Sequence, residues 1–261
     1  MNEENFEIFL APDARPENNE TMGVTQAISE GTTGAAAGYE RPHGGDTLAA
    51  SAYTRLRQDI LRCRLTPGAK LRLETLRRDY SVGFSPLREA LARLTGEGLT
   101  VVEGQRGFRV APVSAGDLED IAHLRSEIET MALRMSIENG SDAWEADVAA
   151  ALHHLLLLPH GRWPAGSPLT DEWSKRHKHF HDSLVAACGS PRLLAIREDL
   201  FEHSERYRRL LIEYGTEGRD LAAEHREIAS AVLARDVPTA CALIAGHIRK
   251  TASTMMAIIS P

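Results

Sequence analysis

The chain has 261 residues, of which 43% are hydrophobic and 26% charged, a globular composition that excludes disorder throughout and collagen-like repeats. It has no apolar run of the roughly 18 residues that cross a membrane, and its acidic start is no secretory signal. Three isolated cysteines, Cys63, Cys188 and Cys241, exclude a disulfide framework and a CxxC zinc site. We therefore expect a cytoplasmic protein without membrane contacts.

The net charge of −7, taken as an average, argues against nucleic acid as a partner, but the charge is divided unevenly. Residues 1–46 carry two basic and nine acidic side chains, residues 47–115 twelve and six, and residues 116–261 sixteen and twenty-two. A basic middle segment indicates a module that binds a polyanion, although a solvated charged surface would show the same excess. Residues 1–46 lack periodicity and predict a disordered acidic tail.

Residues 47–114 predict a small domain of three helices and a hairpin. Helical spacing over residues 48–61 and 71–80 predicts two helices, and the second breaks at residues 81–84. Ser85 as N-cap and Pro86 as first helical residue begin a third helix, which ends at Gly96 or Gly98. Residues 101–103 and 108–110 predict a two-stranded hairpin. This order is that of a winged helix-turn-helix.

A winged helix-turn-helix binds DNA by the N-terminal end of its third helix and by the tip of its wing. Two alternatives to DNA binding stay open. Arg88 pairs with a carboxylate such as Glu89 or Glu97, or the domain binds a protein instead. The predicted DNA-binding residues are Ser85, Arg88, Gln105, Arg106 and Gly107.

The stretches TPGAKL, SPLREALARLTGEGL and VEGQRGFRVAPVS resemble the DNA-binding domain of GntR-family bacterial regulators, over residues 47–114. The resemblance implies that the start of the third helix and the wing contact operator DNA. Many members carry an arginine where this chain has Phe84, and another basic residue near Glu74. These departures imply an unusual operator.

Residues 115–261 are predicted to be helical to the end. The first helix covers residues 118–135 and ends near residue 140, and Asp142 caps the next. After a loop at residues 159–168, helices follow over 170–187, 191–214 and 218–235, and the last begins at residues 236–238. The predicted fold class is mainly α, with a winged helix-turn-helix followed by an all-α antiparallel helical bundle.

Four histidines lie on the apolar stripes of the bundle helices. His177 and His181 are four residues apart on one face, and His225 and His247 lie within the stripes of two later helices. A single buried histidine is more often a core residue than a ligand. Four on packed faces indicate a divalent metal site with four nitrogen ligands.

The stretches HKHFHDSLVAACGSPRL, AEHREIASAVLARDVPTACALIAGHI and LRSEIETMAL resemble the FCD effector domain of the FadR-type branch of the GntR family. The resemblance implies a metal held by Asp or Asn, by a histidine four residues on, and by two later histidines. His177 takes the acidic position, and His181, His225 and His247 match the histidines. An all-histidine set favours zinc first, then nickel, over manganese, and leaves the site more positive toward an anion.

Arg125 lies at the edge of the first bundle helix, four residues before Glu129. One interpretation is an i,i+4 ion pair, worth only about 0.3–0.5 kcal/mol if exposed. The other, which the resemblance favours, is a guanidinium that clamps an effector carboxylate whose other end meets the metal. Another donor could come from Arg206, Tyr207, Arg208 or Arg209, but most of these residues are assigned to a charged helix face.

These features predict a homodimeric transcriptional repressor that binds pseudo-palindromic double-stranded operator DNA and senses a small carboxylate or dicarboxylate. The alternatives are a metal-dependent hydrolase that uses the histidine cluster and a winged-helix protein-interaction module. Residues 177–181 lack the glutamate of an HExxH motif, and Asp182 faces another side of its helix, so we do not expect an enzyme.

Overall fold

The computed structural model describes residues 47–104, 107–158, 168–211 and 219–259. The predicted acidic tail and the wing-tip residues Gln105 and Arg106 lie outside the described residues. The described chain forms two compact units, residues 47–58 with 69–111 and residues 59–68 with 112–259. Within the described ranges, every helix is too short or too polar to span a bilayer.

The smaller unit contains helices α1 (Leu48–Leu61), α2 (Leu73–Tyr80) and α3 (Phe84–Gly96). Its strands are β1 (Lys70–Leu71), β2 (Thr100–Glu103) and β3 (Gly107–Val110), in the order β1-β3-β2. Both pairings are antiparallel, and Phe108 lies opposite Val102 on one side and Leu71 on the other. The predicted hairpin is confirmed. Leu71, predicted to begin the second helix, instead forms a third strand with Lys70, because two residues are too few to show strand periodicity.

Apolar faces of the three helices form the core of this unit. Leu56 of α1 and Leu87, Leu91 and Leu94 of α3 are fully buried. Each such side chain contributes about 1.5–3 kcal/mol of transfer free energy. The helix-turn-helix is therefore a rigid frame for the side chains that α3 exposes.

Six helices of the larger unit lie in the described ranges, in the predicted order. They are α4 (Ala115–Asn139), α5 (Asp142–Leu156), α6 (Pro168–Val185), α7 (Pro191–Leu211), α8 (Leu221–Leu233) and α9 (Val237–Ile259). The long helices α4 and α9 pack together, α7 packs on α4, and α5 packs on α6. Their apolar faces form one core that includes Trp144, Phe180, Tyr207, Ile228 and Ile248.

Two predicted helix caps are wrong by one or two residues. Ser141 caps α5 by accepting a hydrogen bond from the Trp144 backbone N–H at 3.4 Å, and Asp142 is the first helical residue. Gly83, rather than Ser85, is the N-cap of α3. Pro86 is tolerated inside the first turn because backbone N–H groups there have no intrahelical acceptor.

Candidate functional site

The first candidate surface is the exposed start of α3, which follows α2 after a three-residue turn. Ser81 closes α2 with a left-handed φ of 54°. Ser85 and Arg88 are both exposed, on the first two turns of α3. Within the described ranges Arg88 forms no ion pair, and Glu97 instead accepts a hydrogen bond from Arg57 at 2.9 Å. The predicted alternative of an Arg88–Glu97 pair is therefore not what the structure shows.

The wing is described up to its tip on both sides. Gly107 begins β3, and a Cβ there would lie 3.0 Å from the Glu103 carbonyl oxygen, so the strands approach closely. Arg109 of β3 donates to the Glu103 carboxylate at 2.6 Å. Part of the basic charge in this segment is thus neutralised within the sheet, which the sequence pattern does not reveal.

The second candidate site is the histidine cluster of the larger unit. Helix α6 carries His177 and His181, α8 carries His225, and α9 carries His247. All four are buried, and one ligand nitrogen from each lies within 4.8 Å of the others. The Nε2 atoms of His177 and His181 are 3.1 Å apart. The tertiary structure thus brings together the four residues that the stripes select.

The environment favours the neutral form of His177 and of His181. Burial, reinforced by the charges of the neighbouring histidines, holds the pKa of His177 well below its ordinary value. Burial, with the nearby charges of His247 and Arg125, does the same for the pKa of His181. The Trp173 ring stacks on His177, with centroids 4.5 Å apart. A neutral imidazole has a lone pair, and this is the form that binds metals.

A carboxylate that the sequence pattern does not single out, that of Glu224, orients His247. Glu224 Oε2 lies 2.8 Å from His247 Nδ1. Burial alone would raise the pKa of Glu224, but hydrogen bonds from Arg219 and His247 outweigh it and hold that pKa below its ordinary value. The ionised carboxylate can only accept, so the Nδ1–H of His247 donates and its Nε2 keeps the lone pair.

Arg219 in turn holds Glu224 in place. It donates to both carboxylate oxygens, at 2.8 and 2.6 Å, to the Thr251 hydroxyl at 2.9 Å and to the His247 carbonyl at 3.1 Å. Arg219 precedes α8 while Thr251 lies on α9, so this network ties the two helices together beside the cluster. In the sequence, only the position of Glu224 next to His225 points to a role for Glu224 beside the cluster.

Arg125 is buried beside the histidines instead of lying on a solvated edge. It is 6% exposed, donates to Glu129 at 3.3 Å and to Ser204 at 3.0 Å, and lies over the Phe201 ring at 4.5 Å. Burial lowers its pKa, an effect that Glu129 opposes. Its Nη2 has no hydrogen-bond partner among the described residues. The i,i+4 ion pair with Glu129 is formed, but it is buried and not exposed, because α7 covers this end of α4.

Two further arginines lie near the cluster: Arg197, which the sequence pattern does not single out, and Arg208, assigned from the sequence mainly to a charged helix face but largely buried. Arg197 is 2% exposed and pairs with Glu129 at 3.1 Å and with Asp182. Arg208 lies over the Trp173 ring at 4.5 Å, and its charge contributes to the lowered pKa of His177. Asp182 is engaged by Arg197 and by Lys178, which agrees with its expected placement away from the histidines.

A basic winged helix-turn-helix followed by a helical bundle is the architecture of a transcriptional regulator with a second, all-helical domain. The family described as "Bacterial regulatory proteins, gntR family" matches residues 48–110, and the FCD domain matches residues 120–250. The chain belongs to the GntR family and carries an FCD domain.

Relatives along most of the chain are also regulators. The HTH-type transcriptional repressor GlaR of Escherichia coli (strain K12) is 40% identical over 200 residues, 75% of this chain and 90% of GlaR. The HTH-type transcriptional regulator BphR of Paraburkholderia xenovorans (strain LB400) is 33% identical over 242 residues, 93% of this chain and 96% of BphR. This chain is a DNA-binding transcriptional regulator and not an enzyme.

Solved structures share the fold. E. coli McbR/YncC superposes with a TM-score of 0.66 at 21% identity, covering 80% of this chain and 97% of that one. A putative transcriptional regulator GntR from Rhodococcus sp. RHA1 gives 0.63 at 19% identity, with coverage of 80% and 97%. The predicted fold class is confirmed.

Proposed function

We propose that this protein is a homodimeric repressor whose larger unit binds a divalent metal and a small carboxylate or dicarboxylate, and that this effector modulates operator binding. The observation that carries the proposal is the cluster of four buried histidines beside the buried guanidinium of Arg125. Repression is supported by the name of GlaR, the relative at 40% identity.

The donor set fits a metal. Two nitrogens each about 2.1 Å from a zinc ion lie about 3.0–3.4 Å apart, and the Nε2 atoms of His177 and His181 are 3.1 Å apart. Between two neutral rings only one Nε2 can donate to the other, whereas a metal ion would take the lone pair of each. His177, His181, His225 and His247 would hold the ion, and a bound zinc would supply a Lewis acid for an anionic oxygen.

Metal content of matched variants tests this assignment. We expect His181→Ala to lose stoichiometric zinc after reconstitution and dialysis. His179→Ala is the control, because His179 lies on the same helix but is exposed. Equal zinc in the two variants, measured by mass spectrometry of the folded proteins, would refute the ligand set.

The absence of a carboxylate from the set predicts the metal preference. Imidazole nitrogen suits zinc and nickel, whereas manganese prefers oxygen ligands. We expect His177→Asp to retain metal but to raise the affinity for manganese relative to zinc. Competition titrations with the two ions give this ratio, and an unchanged ratio contradicts the assignment of His177 as a ligand.

Arg125 supports an anionic effector. A buried guanidinium with an unpartnered Nη2 can donate to a carboxylate, and a charge-assisted hydrogen bond of this kind is strong in a desolvated site. Thermal-shift screening of mono- and dicarboxylates on zinc-loaded protein should identify stabilising ligands. Arg125→Ala should abolish the stabilisation with metal content intact, and Arg134→Ala, an exposed arginine of the same helix, should not. Equal stabilisation of both variants would exclude this role of Arg125.

The exposed start of α3 supports operator recognition. A two-fold dimer would place two copies of α3 in successive major grooves, which requires a pseudo-palindromic operator. We expect Arg88→Ala to abolish specific operator retention while dimer mass and metal content stay unchanged. If this variant binds operator DNA with wild-type affinity, the assignment of α3 as the recognition helix is refuted.

Regulation requires the effector to favour one arrangement of the dimer, because equal affinity for two arrangements shifts neither. Operator affinity measured with and without effector should therefore change in the wild type and not in Arg125→Ala. A protein-interaction module would instead show no steep dependence of DNA retention on salt.

A further inference from the structure

An aromatic side chain stands exposed at the start of the recognition helix. Phe84 is the first residue of α3 and is 39% exposed, whereas Leu87, Leu91 and Leu94 further along the helix are fully buried. A single exposed apolar residue is common on protein surfaces. Its position matters here, because the N-terminal residues of a recognition helix are those that meet base edges.

A second observation concerns the neighbouring helix. The guanidinium of Arg77, on α2, lies over the Phe84 ring at 5.1 Å from its centroid. Arg77 is exposed and forms no ion pair within the described ranges. Phe84 therefore holds a cation at the same end of α3 that carries Arg88 one turn further on.

We propose that Phe84 determines part of the operator sequence by contacting the 5-methyl group of a thymine in the major groove. A phenyl ring has no hydrogen-bond donor or acceptor for the base edges, and the thymine methyl is the apolar group that the major groove displays. Arg77, oriented by the ring, contacts the adjacent phosphate. This inference rests on the proposed entry of α3 into the operator and is independent of the metal and the effector.

Thymidine-to-deoxyuridine replacement isolates this contact, because it removes only the methyl group. A preferred site is first selected from random duplexes with the wild-type dimer, and each thymidine is then replaced in turn. Burial of one methyl group corresponds to about a fourfold change in affinity. We expect about that loss at one thymidine per half-site for the wild type, and no loss at that position for Phe84→Ala.

Two further variants control for folding and for general DNA affinity. Phe84→Leu keeps an apolar side chain and should retain part of the methyl preference. Arg88→Ala tests the recognition helix itself and should lose specific retention of the selected site. If Arg88→Ala binds the selected site as tightly as the wild type does, the start of α3 is not the DNA-binding surface.

The outcome for Phe84→Ala decides the inference separately. A folded Phe84→Ala protein that keeps the wild-type ratio at every thymidine would overturn it, even where Arg88→Ala supports the recognition helix. Arg77→Gln adds an independent readout: the slope of log affinity against log salt should fall by about one phosphate contact. An unchanged slope would show that Arg77, held by Phe84, does not contact a phosphate.

Discussion

Glu224→Gln should weaken metal binding, although Glu224 is not one of the four proposed metal ligands. The carboxylate accepts the Nδ1–H of His247 at 2.8 Å and is fixed by two hydrogen bonds from Arg219. Glutamine keeps one oxygen of similar reach but removes the negative charge and one of the two acceptors for Arg219. Loss of such a partner behind a histidine ligand lowers metal affinity by about 10- to 100-fold. We expect zinc affinity to fall within that range.

Competition with a chromophoric chelator at pH 7 measures this affinity, and the visible spectrum of the cobalt-substituted protein reports the geometry of the ligands. Glu227→Gln is the matched control, because Glu227 lies on the same helix three residues later and is exposed. Glu224→Asp keeps the charge on a shorter side chain and should lie between the wild type and Glu224→Gln.

A Glu224→Gln protein with zinc affinity within twofold of the Glu227→Gln control would refute this account. The account would also be refuted if the two variants gave identical cobalt spectra and lost zinc affinity to the same extent. Thermal unfolding of the metal-free proteins separates a general loss of stability from a loss at the site, because a structural role alone would lower both metal-free and metal-loaded midpoints equally.

Burial raises the pKa of Cys63 to about 11, so at pH 8 its thiolate fraction and its alkylation rate should be about a hundredfold below those of an exposed cysteine; ordinary reactivity in the native protein would contradict this. A Cβ at Gly140 would lie 2.0 Å from the Trp144 ring, so Gly140→Ala should destabilise the protein by about 1–3 kcal/mol in urea unfolding. The matched change Gly246→Ala, in a helix with nothing within 4 Å, should stabilise it by up to about 1 kcal/mol; equal effects of the two variants would refute the steric argument.

Much of the architecture was predictable because it depends on local periodicity. A helix repeats its buried face every three or four residues, so the order of the nine helices of the described chain and the beta hairpin follow from the spacing of apolar residues. The same periodicity placed His177 and His181 on one face, and it placed His225 and His247 on apolar faces of their own helices.

Apolar spacing along the chain thus specifies which residues each helix turns inward, whereas the packing of the helices against one another specifies what those residues contact. The spacing of Arg125 and Glu129 is the same in an exposed pair and in a buried one, and only the packing of α7, which brings Phe201 and Ser204 to Arg125, settles which it is. Glu224 gains its role from a residue 23 positions away on another helix. Contacts between distant segments follow from how the faces pack together, and no local pattern contains that information.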